Sequence, residues 1–279
     1  MQEENIEVAE IDTGTDQLLC TVRQRVATIT LNRPEARNAL SPPLTTALRR
    51  MIAERGDDPE VGAVLLTGAG SAFCAGGDVK AMRDRTAGTP VQTAEQRFQE
   101  MRARHHEIGG ALHKLRIPTV AALPGPAAGA GMAIALACDM RIAADTAFFS
   151  TGYARIGLSG DYGFAWLLTR VVGPSRAREL MLTCERIDMV QAEKYGLVNR
   201  VVPAGELEDE AFELARKLAN GPRIALAYIK DNLDDALHID HATAIDREAE
   251  RLLRTTGTED HAEAVRAFVE KRDPQFSGR

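Results

Sequence analysis

Apolar runs at 26–31, 61–66, 119–123, 140–143 and 198–202 divide the first part of the chain. The first three end in turn signals: Asn32-Arg33-Pro34, Thr67-Gly68-Ala69-Gly70 and Pro124-Gly125-Pro126. Runs this short, β-branched and continuously apolar predict strands covered on both faces. Helical spacing alternates with them. Leu44, Leu48, Met51 and Ile52 recur at that spacing behind Pro42-Pro43, and residues 129–137 predict a helix that is apolar all round. Strand and helix patterns in this order predict an α/β domain with parallel pairing.

The pattern changes after Val202-Pro203. Leu207, Ala211, Leu214 and Leu218 form one helical stripe that Gly221-Pro222 stops, and further helical patterns run over 224–237, 245–253 and 262–270. The expected organisation is therefore an α/β core over 1–205 and a helical region over 206–279, the latter suited to oligomerisation or to a lid.

The 279 residues suffice for one large core with an appendage, and 44% hydrophobic with 27% charged residues is the balance of a soluble globular protein. The net charge of −6 argues against a nucleic-acid or membrane surface, though a local basic pocket for an acidic ligand remains allowed. The acidic start MQEENIEVAE lacks signal- or transit-peptide features, and no apolar run approaches the ~18 residues that would span a bilayer. Cys20, Cys74, Cys138 and Cys184 stand far apart without metal-ligand spacing, as reduced thiols of a cytoplasmic protein do. Cys138, next to Asp139 at the end of an apolar helix, reads as a small buried hydrophobe, and Asp139 as a residue that structures the helix end.

Chemistry enters with the stretch GPAAGAGMAIALACD at 125–139, a glycine-broken turn that feeds directly into a helix. The first N–H groups of such a helix point outward without partners, and its dipole favours negative charge there. A second glycine turn, FCAGGD at 73–78, follows the second predicted strand. Two such turns beyond the carboxyl ends of parallel strands suit an oxygen that becomes negative during reaction. Neither Gly68-x-Gly70 nor Gly129-x-Gly131 completes a dinucleotide fingerprint, and the sequence holds no P-loop, GxSxG elbow or HExxH.

These residues, taken in order, resemble the crotonase (enoyl-CoA hydratase/isomerase) superfamily. The likeness spans ITLNRP (29–34), RNAL (37–40), VLLTG (64–68), FCAGGD, PTVAA (118–122), the 125–139 stretch, AEKYGLVNRVVP (192–203) and FVEKR (268–272). The resemblance implies a crotonase-like spiral of repeated ββα units with a C-terminal helical trimerisation region, assembled as a homotrimer or a dimer of trimers. It implies an acyl-CoA thioester as ligand, with coenzyme A as part of the substrate and no separate cofactor or metal. By motif, the amides of Gly77 and Ala130 hold the thioester oxygen; alanine at 130 keeps the N–H. Arg37, Ala75, Asp78 and Lys80 fall at positions for the pantetheine and phosphates, and Lys271 for the nucleotide end across a subunit interface.

The hydratase pattern breaks at the two positions that carry glutamates, which here hold Ala133 and Tyr153. Alanine transfers no proton, and a phenol with a pKa near ~10 is a poor base at neutral pH. Asp161 remains, eight residues beyond Tyr153, at a position where several isomerases of the superfamily carry a catalytic aspartate. One base can take a proton from one carbon and return it to another, whereas adding water calls for a second group. Asp161 is expected in an apolar pocket with Phe164, Trp166 and Tyr162, its pKa raised. Its bland alternative is a cap on the helix that starts near Phe164. The preferred expectation is thus an isomerase, with a hydratase of unusual water positioning as the alternative. More distant options are dehalogenase-type chemistry through His105 or His106, and an RNA-binding homologue using the basic residues between Arg97 and Arg116.

Overall fold

The computed structural model describes residues 7–78 and 92–279, and its frame is a sheet of seven strands. The strands are β1 (Ala9–Ile11), β2 (Leu18–Arg23), β3 (Val26–Leu31), β4 (Ala63–Gly68), β5 (Thr119–Leu123), β7 (Met140–Ala144) and β10 (Arg200–Val202). They lie in the order β1-β2-β3-β4-β5-β7-β10. β1, β2 and β3 pair antiparallel, and every later pairing in this sheet is parallel. A second sheet holds β6 (Ala127–Ala128), β8 (Phe148–Ser150) and β9 (Arg186–Asp188). This is the α/β architecture that the alternating pattern predicts.

The continuous apolarity of the central strands follows from their cover. Val64, Leu66, Ala121 and Leu123 face one cluster, which includes Leu48, Ile52, Met132 and Leu168. Their neighbours Ala63, Leu65, Val120 and Ala122 face another, built with Leu207, Ala211, Phe212 and Ala215. Side chains alternate across a strand, so both sets must be apolar when helices cover both faces. The Leu207–Ala219 helix thus closes the sheet, and the region beyond residue 205 contributes one helix to the core before leaving it. Three more helices follow, Arg223–Asp235, His241–Thr256 and Glu259–Glu270.

The element ends show where local signals mislead. Thr67 and Gly68 look like turn residues but continue β4 by pairing with Thr30 and Leu31. At the other end Gly62 is in the connection, its N–H donating to the Arg25 carbonyl at 2.8 Å. Asp139 serves structure, as expected. Its carboxylate accepts from the Thr119 N–H at 2.8 Å and from Lys230 Nζ at 2.7 Å, tying the base of β5 to the Arg223–Asp235 helix. Cys20, Cys74, Cys138 and Cys184 are free thiols, all buried. No helix among the described residues is long and apolar enough to cross a membrane.

Candidate active site

Two turns meet beyond the carboxyl ends of β4 and β5. The Phe73 and Cys74 N–H groups donate to the Pro126 carbonyl at 3.1 and 3.2 Å, and the Ala128 N–H donates to the Cys74 carbonyl at 2.9 Å. Behind the first turn, Ala75 N–H donates to Arg37 O at 2.9 Å and Leu40 N–H to Gly76 O at 2.8 Å. Asn38, fully buried with a left-handed φ of 57°, pins this arrangement. Its amide donates to Ala72 O at 2.7 Å and Ala69 O at 3.0 Å, and its oxygen accepts from Arg33 N–H at 2.8 Å.

The crossing is too close for side chains. A Cβ on Gly76, whose φ is +89°, would stand 2.7 Å from the Ala128 oxygen, and one on Gly131 would stand 2.2 Å from the Cys74 oxygen. Glycine is required at both places. With the neighbouring amides used up, the N–H groups of Gly77 and Ala130 donate to no group among the described residues. Ala130 opens the Ala130–Ala137 helix, so its N–H has no carbonyl within that helix to meet.

Gly77, Ala130 and Asp161 line one cavity, with Leu40, Thr45, Asp78, Arg104 and Tyr162 among its other walls. Asp161 is carried by a turn rich in left-handed residues, with φ of 129° at Gly160, 49° at Tyr162 and 75° at Gly163. An aromatic residue in that region stores strain, a recurrent feature of sites where a neighbouring side chain is aimed. Only the backbone of Asp161 serves the following helix: its carbonyl accepts from Phe164 N–H at 2.8 Å. The carboxylate is not a helix cap. Tyr153 donates its hydroxyl proton to Asp161 Oδ1 at 2.5 Å, and the Phe164 ring packs 5.5 Å from the Tyr153 ring, centroid to centroid.

Burial pushes the Asp161 carboxyl above its ordinary range, opposed by the Tyr153 hydrogen bond and the Arg104 charge. Burial also raises the Tyr153 phenol, and the neighbouring Asp161 charge adds to it. Tyr153 is therefore a neutral donor that holds the carboxylate. Tyr162 is pushed up to about 12 by burial, against the pull of Arg104. Ala133 is fully buried one turn into the helix and offers no proton.

The other sequence-predicted residues are placed as follows. Trp166 departs from expectation: it lies partly exposed on another face of its helix, stacked on His238 at 5.7 Å with the Arg170 guanidinium 3.5 Å above its ring. Helical geometry turns residue 166 away from the side that 164 presents to Tyr153. Arg37 and Ala75 are exposed beside the first turn, whereas Asp78 is held by Arg33 at 3.2 Å. Lys80 lies outside the described residues. Lys271 is the exposed, left-handed cap of the last helix, φ 55°. His105 is half-buried against the Tyr162 ring at 4.4 Å, and burial, reinforced by Arg104 and His106, lowers its pKa to about 4. Neither His105 nor His106 lines the cavity with Asp161.

Arg104 is the residue that sequence reasoning missed. It is grouped there with the basic residues of a solvated helix, yet it comes from the Ala94–His105 helix to the cavity wall. The chain then makes a π-helical turn over His106–Gly110, packing Gly109 so that an added Cβ would meet the Tyr162 oxygen at 2.9 Å. Such turns often mark functional sites, but the π turn leaves no simple periodicity to read. By contrast, Arg116 pairs with Asp231 at 3.0 Å.

A family model described as enoyl-CoA hydratase/isomerase matches residues 21–279. The chain is 37% identical over 256 residues to a probable enoyl-CoA hydratase of Mycobacterium bovis, covering 92% of this chain and 96% of that relative. It is 36% identical over 262 residues to a 1,2-epoxyphenylacetyl-CoA isomerase of Escherichia coli, covering 94% and 98%. Among solved structures, an enoyl-CoA hydratase from Polaromonas sp. JS666 superimposes with a TM-score of 0.85 at 33% identity, covering 93% of this chain and 99% of that one.

The turn crossing makes a direct prediction. Gly131→Ala is expected to destabilise the protein by about 3 kcal/mol through overpacking against Cys74, whereas Ala130→Gly keeps the N–H and retains activity. Equilibrium urea unfolding and a steady-state assay check both; a Gly131→Ala protein as stable as wild type would contradict the crossing.

Proposed function

The chain belongs to the enoyl-CoA hydratase/isomerase family, and we propose that within it this protein is an isomerase that shifts a double bond or rearranges a ring in an acyl-CoA, with Asp161 as its single proton-transfer group. The names of its relatives do not choose between hydratase and isomerase, since both occur at similar identity. The observation that carries the reading is the Asp161 carboxylate sharing a cavity with two free N–H groups, while the cavity's other carboxylate, Asp78, is paired with Arg33 and Ala133 and Tyr153 stand at the hydratase glutamate positions.

In this reading the thioester oxygen lies against the N–H groups of Gly77 and Ala130. Ionised Asp161 takes a proton from the carbon next to the thioester. The electron pair moves into the carbonyl, and the resulting enolate oxygen is stabilised by both donors, each worth a few kcal/mol in such a site. The protonated Asp161 then delivers the same proton to the far carbon of the allylic unit as the enolate collapses, so no atom is gained or lost. Tyr153 holds Asp161 in position, and its neutral phenol adds no competing charge. Burial makes Asp161 a stronger base than a solvated carboxylate, which suits proton transfer near neutral pH. Exposed Arg37 and Ala75, with Asp78 and Lys80, are assigned to the pantetheine and phosphate end, and Lys271 to the nucleotide of a neighbouring subunit. Coenzyme A enters as part of the substrate, and proton shuttling with enolate stabilisation calls for no separate cofactor.

The helices after residue 222 support assembly as a homotrimer or a dimer of trimers. They leave Leu253 74%, Phe268 86% and Val269 74% exposed, an apolar surface that a lone subunit rarely presents. Mass photometry is expected to find trimers or hexamers, with Phe268→Glu shifting them toward monomer. A monomeric wild type would remove this assignment.

Products decide the reaction. Mass spectrometry and ultraviolet absorbance on a 3-enoyl-CoA are expected to show a mass-neutral gain of conjugation, reduced by about 10²–10⁴-fold in Asp161→Asn. Gain of one water on a 2-enoyl-CoA, with no isomerisation, would instead assign a hydratase whose water is held by Tyr153 and Asp161.

The raised Asp161 pKa also has a stability consequence. A carboxyl whose folded pKa lies above its unfolded value of 3.8 favours folding when protonated and opposes it when ionised. Asp161→Asn is therefore expected to raise the Tm at pH 7, with the gain vanishing as the pH falls below the unfolded pKa. An equal or lower Tm at pH 7 would mean that the carboxylate is not penalised by burial.

A further inference from the structure

The cavity wall contains a charge that the proposed proton transfer does not use. Arg104 lines the cavity with Asp161 and Tyr162, and its Nε is buried with no hydrogen-bond partner. Elsewhere on its guanidinium Arg104 interacts with the Tyr162 hydroxyl, and the wall's Ser41, Thr45 and Asp78 side chains are occupied. The Ser41 hydroxyl is hydrogen-bonded to Gln17 and accepts from Leu44 N–H at 3.3 Å, and the Thr45 hydroxyl donates to Ser41 O at 2.9 Å. Asp78 is paired with Arg33 at 3.2 Å. The second buried nitrogen of this kind, Nε of Arg55, belongs to a guanidinium held by Asp58 at 2.6 Å.

Arg104 makes no direct ion pair with Asp161 among the described residues, although its charge reaches that carboxylate. The two groups thus line the same cavity without being paired to each other. A saturated or simple unsaturated hydrocarbon chain placed there would leave the Arg104 Nε unmatched and the rest of the guanidinium with only the Tyr162 hydroxyl, an unfavourable state for a charged group. A guanidinium presents a planar fork that matches oxygen acceptors.

We propose that Arg104 is a specificity-determining residue, and that the acyl group of the substrate carries its own acceptor oxygen, a carbonyl or carboxylate beyond the thioester, which Arg104 receives. This rests on the reading of the cavity as the acyl site. It narrows the preferred substrates from plain fatty enoyl chains to enoyl-CoA thioesters that also carry an oxygen acceptor.

The test uses three unreactive thioesters of equal chain length: pentanoyl-CoA, 4-oxopentanoyl-CoA and glutaryl-CoA. Calorimetric dissociation constants are measured for the full-length protein, for Arg104→Met and for Asp161→Asn. An oxygen-bearing ligand is expected to bind wild type about tenfold or more tightly than pentanoyl-CoA, as a charge-assisted hydrogen bond provides. The tighter of the two identifies ketone or carboxylate as the acceptor. That preference is expected to disappear in Arg104→Met and to survive in Asp161→Asn. Arg104→Lys, which keeps the charge but lacks the Nε, covers an Arg104→Met protein that fails to fold, and the preference is expected to shrink there too.

Pentanoyl-CoA binding as tightly as both others, or a preference unchanged in Arg104→Met, would overturn the proposal. The isomerase reading fails separately, if Asp161→Asn keeps full turnover of a 3-enoyl-CoA, because these ligands undergo no chemistry.

Discussion

The site depends on a crossing of two backbone turns at a distance that admits no side chain. Cys74 O accepts from Ala128 N–H at 2.9 Å, while Gly76 and Gly131 each face a carbonyl where a Cβ would stand. Hydrogen bonds consume the amides on either side of the crossing, so the Gly77 and Ala130 donors are left over by geometry. In the proposed reaction, a pair of donors fixed by the scaffold would need no reorganisation when an oxyanion forms, which would be the origin of its catalytic value. Asn38 extends the constraint into the core. Its buried amide bridges the end of β4 and the first turn, so the donors inherit the rigidity of the sheet.

Asp161 is set by a different balance. Burial raises its carboxyl, while the Tyr153 hydroxyl and the Arg104 charge oppose that rise. In the proposed reaction the group must be ionised to accept a proton and protonated to return it, so a pKa between a solvated carboxylate and neutrality serves both halves. A neutral phenol opposes the rise less than a cation in contact would. A direct Arg–Asp pair would hold the carboxylate ionised and weaken it as a base.

The sequence was most legible where one physical cause acts alone. Two-sided burial makes β5 a continuously buried, mostly apolar run, and its ends fall where the pattern breaks. The glycine turns are legible for the same reason, since no other residue fits. β6, β8 and β9 are two or three residues long, too short for a periodicity to emerge, and they exist because the second turn needs a pairing partner at Phe149 and Ser150. Trp166 was misplaced because aromatic character does not report which side of a helix faces a site. Arg104 was hidden for the opposite reason: a charged residue in a basic helix reads as solvated, although this one lines the cavity just before the π turn.

The proposed choice between adding water and moving a proton turns on a count of groups. Water addition needs one group to activate the nucleophile and another to exchange a proton with the adjacent carbon. The described cavity walls carry two carboxylates, and Arg33 holds Asp78 away from that role. Ala133 fills its position with a methyl group packed in the core, where no water could be held by hydrogen bonds. Tyr153 spends its hydroxyl proton on Asp161, and its phenol stays protonated because burial and that carboxylate both oppose ionisation. What remains is a single exchangeable proton site beside a preorganised oxyanion pocket, and the reaction such a site performs with fewest parts is the transfer of one proton between two carbons of the same substrate.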